Sequence, residues 1–327
     1  MASKPEPAGG PGDGSSNPGT SSRAGIGPYP LVRKTLGAVR LLVKSLTRRR
    51  RKRTPPIILV RSLRRRGSDR KVDVVIAGVQ KGGTTALHHF VRQHPEICTS
   101  RRKEVHYFDK QFSDRSGKPN YHRYHAWFDP EPSHKILLEA TPVYIFKAVC
   151  VERMSAYNPE MKAIVILRNP IDRTYSHWQM ETRQRRERNS FAEVLARYQR
   201  ERPYPSNRAE PNTYFGRGFY VGQIERLWRH FPREQTLILR NEDLLHDRDA
   251  TMNRVFEFAG VAPFECANIP RRPSVYEPMS ASNRSYLKEL FEPEIHQLET
   301  LLGWDCSEWL AQGQLPLAER ISPAPGR

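Results

Sequence analysis

Val72-Asp73-Val74-Val75-Ile76-Ala77, followed directly by Gly78-Val79-Gln80-Lys81-Gly82-Gly83-Thr84-Thr85, is the stretch that decides the fold. A short β-branched run, a glycine loop and then a stretch of helical character make a strand–loop–helix unit that binds phosphate. The loop is nearly G-x-x-x-x-G-K-[ST]. Its lysine, however, comes two residues before the last glycine, at Lys81, and Thr84 holds the usual lysine position. A lysine displaced in this way points to a phosphate ligand other than ordinary ATP with magnesium. The loop N–H groups, the helix N-terminus, Lys81 and the hydroxyls of Thr84 and Thr85 are all suited to a terminal phosphate-like group.

Outward from this unit the chain alternates between strands and helices. Apolar runs suited to buried strands cover 72–77, 135–138, 162–167 and 235–239. Helical spacing covers 84–94, 220–230, 250–259 (closed by Gly260) and 283–302. Asn169-Pro170 supplies an N-cap with proline at the first helical position, and Ser190-Phe191-Ala192-Glu193 is a capping box. The expected fold is α/β: a single P-loop-type domain whose central parallel sheet carries helices on both faces. Ligands in such folds bind beyond the carboxyl ends of the strands.

The 327 residues carry a net charge of +19, but the charge is unevenly spread. Residues 1–71 hold 18 Lys/Arg against 3 Asp/Glu, or +15, and the remainder carries only +4. The basicity therefore belongs to an N-terminal extension, and no specific nucleic-acid partner is expected of the body. Residues 1–30 are rich in Gly, Pro and Ser and read as disordered. Residues 31–71 form a basic amphipathic extension, with Leu36, Val39, Val43 and Leu46 opposite Arg33, Arg40 and Lys44, and a basic run at 48–53. Two readings of 31–66 stay open: peripheral contact with an anionic membrane, or a solvated basic tail. No stretch reads as a transmembrane helix or a cleavable signal, so the expected location is cytoplasmic, with membrane association left open. The folded domain is expected over 72–312, with a tail over 313–327. Cys98, Cys150, Cys266 and Cys306 have no metal-ligand spacing and read as reduced, buried thiols.

Two further segments should meet the loop at the sheet edge. Arg168 ends a strand run and Ser176 lies about two turns into the next helix, a pair able to grip a second phosphate. In Lys103-Glu104-Val105-His106-Tyr107-Phe108-Asp109, an extended reading puts Glu104 and His106 on one face, and either could act as general base.

Taken together, the loop, the stretch Glu104-Val105-His106-Tyr107-Phe108-Asp109 and the run Leu167-Arg168-Asn169-Pro170-Ile171-Asp172-Arg173-Thr174-Tyr175-Ser176 resemble the sulfotransferases. More narrowly, they resemble the heparan sulfate glucosaminyl N- and 3-O-sulfotransferases and their bacterial relatives, over roughly 72–310. The resemblance implies 3′-phosphoadenosine 5′-phosphosulfate (PAPS) as donor, no required metal, and transfer of a sulfuryl group to a hydroxyl or amine of a carbohydrate acceptor. It assigns Lys81, Gly82, Gly83, Thr84 and Thr85 to the 5′-phosphosulfate and Arg168 with Ser176 to the 3′-phosphate. Glu104 becomes the catalytic base and Lys81 the group that stabilises the leaving oxygen. Arg272 and Ser274 match a basic loop closing over the donor, although an ordinary surface loop fits them as well. Where the 3-O enzymes carry a second active-site lysine, this chain has Ala140, which speaks against glucosaminyl 3-O specificity. The competing readings are a P-loop kinase, which wants a lysine at Thr84, and an inactive sulfotransferase-like module that binds anionic membrane or nucleic acid through the basic extension.

Overall fold

The computed structural model describes residues 70–201, 214–268 and 277–311, all within one compact unit. The extension over 1–69, the tail from 312 and the loop carrying Arg272 and Ser274 lie outside the described residues.

The β-branched run forms β1, Val74–Gly78, and the helix after the loop is α1, Thr84–Val91. The short strand β2, Ile97–Thr99, follows, then a single π-helical turn, Tyr107–Gln111, and the small helix α2, Tyr121–His125. Next come β3 (Ile136–Ala140), α3 (Ala148–Tyr157), β4 (Lys162–Leu167), α4 (Pro170–Arg183) and α5 (Phe191–Glu201). A 3-10 turn at Gly216–Gly218 leads into α6 (Val221–His230), β5 (Thr236–Arg240), α7 (Asn241–His246) and α8 (Arg248–Ala259). The described chain closes with α9 (Ala281–Leu302) and α10 (Ser307–Leu310).

The five strands form one sheet in the order β2-β3-β1-β4-β5, and every pairing is parallel. Alternation along a strand sends successive side chains to opposite faces. Val75, Ala77, Val165 and Leu167 enter one core, together with Val151 and Met154 of α3, Ile224 and Leu227 of α6 and Leu287 of α9. Val74, Ile76, Ile164 and Ile166 enter the other, with Leu87 and Val91 of α1 and Val255 and Phe256 of α8. Both faces are therefore covered by helices, as the continuous apolar runs require.

The helix-end signals act as read. The Asn169 side chain accepts from Ile171 N at 2.9 Å, and Ser190 and Glu193 exchange hydrogen bonds in a capping box. Gly260 ends α8 with φ 84°, in the left-handed region that glycine enters without penalty. All four cysteines are free and buried. No helix among the described residues is long and apolar enough to cross a membrane.

Candidate functional site

The chain leaves β3, β1 and β4 at one edge of the sheet, because these strands are parallel neighbours. Ile76 lies opposite Ala140, and Gly78 opposite Val165. Residues that follow the three strands are thus brought together, although they are far apart in sequence.

After β1 the loop folds back on the sheet. Val79 N donates to Ile166 O at 3.1 Å, and Gly82 N donates to Val79 O at 2.9 Å. A Cβ on Gly82 would fall 2.3 Å from the Ile166 carbonyl oxygen, which is backbone and cannot move aside. Gly83, at φ 107°, caps α1 and has Asn241 of α7 against it. Thr84 is buried and Thr85 exposed. The N–H groups of the first helical turn have no intrahelical acceptors, so the loop offers donors at the sheet edge.

Lys81 sits in this loop at φ 70°. Among the described residues the other non-glycine positions with positive φ are Glu104, His106 and Arg185, so most of this backbone strain lies in the three candidate residues. Burial lowers the Lys81 pKa, and the charges named as acting on it are cations: Arg168, Arg183, Arg173 and Lys103. Gln80 accepts a hydrogen bond from Arg217, whose guanidinium lies 5.1 Å over the Phe146 ring.

Beyond β3, Ala140 O accepts from Glu104 N at 2.9 Å, and Thr141 Oγ1 accepts from His106 N at 3.4 Å. Glu104 and His106 do face each other, but not as residues of an extended strand. Both are left-handed, with φ 64° and 57°, and the π-helical turn begins immediately after them. The alternation argument therefore reached the right pair by the wrong backbone.

Glu104 Oε1 lies 2.8 Å from Lys103 Nζ, and its Oε2 3.7 Å from His106 Nε2. His106 Nδ1 lies 3.1 Å from Oδ1 of the buried Asp109, whose other oxygen is 3.3 Å from Lys147 Nζ. His106, against burial, and then Lys103 hold Glu104 down to about 2. Asp109 first and Glu104 second raise His106 to about 9. At neutral pH the pair is therefore a carboxylate beside an imidazolium. The raised imidazole contributes stability that is fully present below about 6.5, its ordinary pKa, and is lost as pH rises through about 9. Nitrogen-15 NMR of the histidine ring should find His106 protonated at pH 7, and Asp109→Asn should move its midpoint back towards the ordinary histidine value. An unchanged midpoint in that variant would remove Asp109 as the cause.

Beyond β4, Arg168 is fixed by its backbone: its carbonyl accepts from the Tyr220 hydroxyl at 2.8 Å. Ser176 lies buried on α4, one turn beyond Arg173. Arg173 is fully buried, and its Nε and Nη1 find no hydrogen-bond partner. Its Nη2 donates to the Thr174 hydroxyl at 3.1 Å and to the Tyr214 carbonyl. Burial lowers both Arg173 and Arg217 to about 10, so both remain cationic at neutral pH.

The structure thus brings Lys81, Gly82, Gly83, Thr84, Thr85, Glu104, His106, Arg168 and Ser176 to one edge, with Arg272 and Ser274 outside the described residues. The sequence reading missed Asp109, Arg173, Arg217 and Asn241, and it gave no sign that Lys103 pairs with Glu104. Asp109 and Arg173 stood inside quoted motifs without a role. Tyr220, read only as the start of a helical run, is the tyrosine that holds the Arg168 carbonyl. Nothing local to Arg217 or Asn241 marks them, because they reach the loop only through the fold.

Residues 71–296 match the family described as "Sulfotransferase domain". The chain is 29% identical over 282 residues to bifunctional heparan sulfate N-deacetylase/N-sulfotransferase 3 of Homo sapiens, covering 75% of this chain and 32% of that protein. It is 30% identical over 199 residues to heparan sulfate glucosamine 3-O-sulfotransferase 3B1 of Mus musculus, covering 60% of this chain and 47% of that one. The chain therefore spans less than half the length of these curated relatives. A solved sulfotransferase from Alicyclobacillus acidocaldarius superposes with a TM-score of 0.62 at 28% identity, over 73% of this chain and 99% of that one. With the matched region running from the first strand into α9, and with a strand–loop–helix edge of the kind its motifs suggest, the chain belongs to the sulfotransferase domain family.

Proposed function

We propose that the protein transfers a sulfuryl group from PAPS to a hydroxyl or amine of a carbohydrate acceptor. The observation that carries the reading is electrostatic. Lys81, Arg168 and Arg173 crowd together beside the loop, and Arg173 keeps two buried nitrogens without partners. Like charges held together at low solvation are costly unless an anion joins them. A donor with a phosphosulfate at one end and a 3′-phosphate at the other supplies charge at both ends of this edge. Gly82, Gly83, Thr84, Thr85 and Lys81 would take the phosphosulfate, and Arg168 with Ser176 the 3′-phosphate. Arg272 and Ser274 remain candidates for a closing loop.

Glu104 supplies the complementary group. It is ionised at neutral pH, and its neighbour Lys103 is within electrostatic range of Lys81. An acceptor O–H or N–H gives its proton to Glu104 while the oxygen or nitrogen bonds to sulfur. The bond from sulfur to the bridging oxygen breaks, adenosine 3′,5′-bisphosphate leaves, and Lys81 faces the charge growing on that oxygen. The heparan sulfate relatives favour a carbohydrate acceptor. Ala140, in place of the family's second lysine, argues against glucosaminyl 3-O specificity.

The donor assignment has a direct test. Adenosine 3′,5′-bisphosphate should bind at least about tenfold more tightly than adenosine 5′-monophosphate, since a charge-assisted contact is worth roughly 1.5–3 kcal/mol. Equal affinities by calorimetry would remove the second phosphate site.

A further inference from the structure

Behind the candidate base lies a carboxyl group that has no part in the transfer as proposed. Glu139 is the next to last residue of β3 and is fully buried. A buried acid needs partners for its oxygens, and hydroxyls supply them. Tyr124 of α2 donates to Oε2 at 3.0 Å. Tyr144 donates to Oε1 at 3.4 Å, and the Thr141 hydroxyl donates to the same oxygen. Burial pushes Glu139 up to about 7, against the pull of these hydroxyls and of His106. A proton taken up here goes to Oε2, because Oε1 already receives the hydrogen bonds of Thr141 and Tyr144. Oε1 therefore accepts from both hydroxyls in either form of the acid.

The same two hydroxyls have a second contact, on the side of the π-helical turn. A hydroxyl gives one proton, and its oxygen can also accept. Thr141 Oγ1 accepts from His106 N at 3.4 Å. The Tyr144 hydroxyl oxygen accepts from Tyr107 N at 2.8 Å and from Phe108 N at 3.4 Å. These N–H groups open the turn, where a helix offers its own amides no acceptor. Because the protons of Thr141 and Tyr144 point to Glu139, their oxygens are left facing the turn. The segment that carries them is tied to β1: Thr141 N donates to Ile76 O at 3.2 Å, and Ile145 N to Ala77 O at 3.0 Å. Left-handed non-glycine residues such as Glu104 and His106 persist only where their surroundings hold them.

We infer that Glu139 is a positioning residue: through the hydroxyls of Thr141 and Tyr144 it fixes the amides that open the turn, and so keeps Glu104 and His106 in the arrangement that transfer uses. The inference rests on the sulfotransferase reading given above and deepens it. Glu139 acts through its neighbours and touches neither of the two residues by its carboxyl group. Its worth lies in direction, since it decides which way two hydroxyls point.

The test uses the full chain and two readouts. One is the protonation midpoint of the His106 ring by nitrogen-15 NMR, which needs no turnover. The other is kcat for transfer from PAPS to heparan sulfate, set against KM and nucleotide affinity. Tyr144→Phe removes one oxygen and keeps the ring. His106 should then hold its proton at least about tenfold less tightly, because the turn no longer sets it against Asp109 and Glu104. In the same variant kcat should fall about ten- to hundredfold while affinity for adenosine 3′,5′-bisphosphate is unchanged. Glu139→Leu should do the same, and Glu139→Gln, which keeps an oxygen facing Thr141 and Tyr144, should recover both readouts to within a few-fold. If Glu139→Leu does not fold, Tyr144→Phe and Glu139→Gln still decide. A Tyr144→Phe variant with lowered Tm but an unchanged His106 midpoint and unchanged kcat would overturn the inference and leave the network a purely structural one. Loss of both readouts in Glu139→Gln would overturn it as well, since the retained oxygen would then not be what matters. If the His106 midpoint moves as expected but the unsubstituted chain transfers nothing from PAPS, the sulfotransferase reading fails and the hold on the turn stands.

Discussion

Glu104→Gln is expected to lower turnover by roughly 10²–10⁴, the range for a general base, and to leave the affinity for adenosine 3′,5′-bisphosphate within a few-fold. The amide keeps the size and part of the hydrogen bonding of the carboxylate but cannot take the proton. The geometry favours Glu104 over His106 because His106, raised to about 9 by Asp109 and Glu104, already carries its proton at neutral pH. A carboxylate held down to about 2 is a weak base. It accepts the proton only once the acceptor atom has become acidic, when the new bond to sulfur is well advanced. His106→Ala is the control. If it abolishes turnover while Glu104→Gln is nearly normal, the two roles must be exchanged.

Lys81→Ala should lower turnover by roughly 10²–10³, the loss seen when one group that stabilises developing charge is removed. Unlike Glu104→Gln, it should also weaken adenosine 3′,5′-bisphosphate, on the order of tenfold, because in the proposed reaction the lysine faces the donor before and during transfer. A second readout separates this role from a structural one. Lys81 is crowded by Arg168 and Arg173, so its removal relieves repulsion in the free protein. The Tm without ligand should not fall, whereas stabilisation by the nucleotide should shrink. A large drop in Tm without ligand would make Lys81 a structural residue.

Much of this site could be read from the chain because its parts are local. The loop, its displaced lysine and the helix after it form one continuous segment, and the hydrophobic runs around it are long enough to fix β1, β4 and β5. The cap at Asn169 and the capping box at Ser190 are chemistry between near neighbours, so sequence shows them directly. What escaped was short or distant. β2 has only three residues, too few for a periodic signal, and α3 shows little amphipathic contrast beside the buried Cys150 and Met154. The left-handed turns at Glu104 and His106 left no glycine to mark them. Arg173 carried no role in its motif, yet it is fully buried and donates to the carbonyl of Tyr214, 41 residues away, a contact only the fold creates.

The account rests on sulfuryl transfer at the edge shared by β3, β1 and β4. The most direct measurement supplies the full chain with sulfur-35-labelled PAPS and a set of acidic oligosaccharides, and identifies products by mass spectrometry. One sulfuryl group should appear on the sugar for each adenosine 3′,5′-bisphosphate released, with Glu104→Gln and Lys81→Ala nearly silent. Labelled product made equally well by both variants would contradict the account, as would phosphate transfer from ATP with none of sulfate from PAPS.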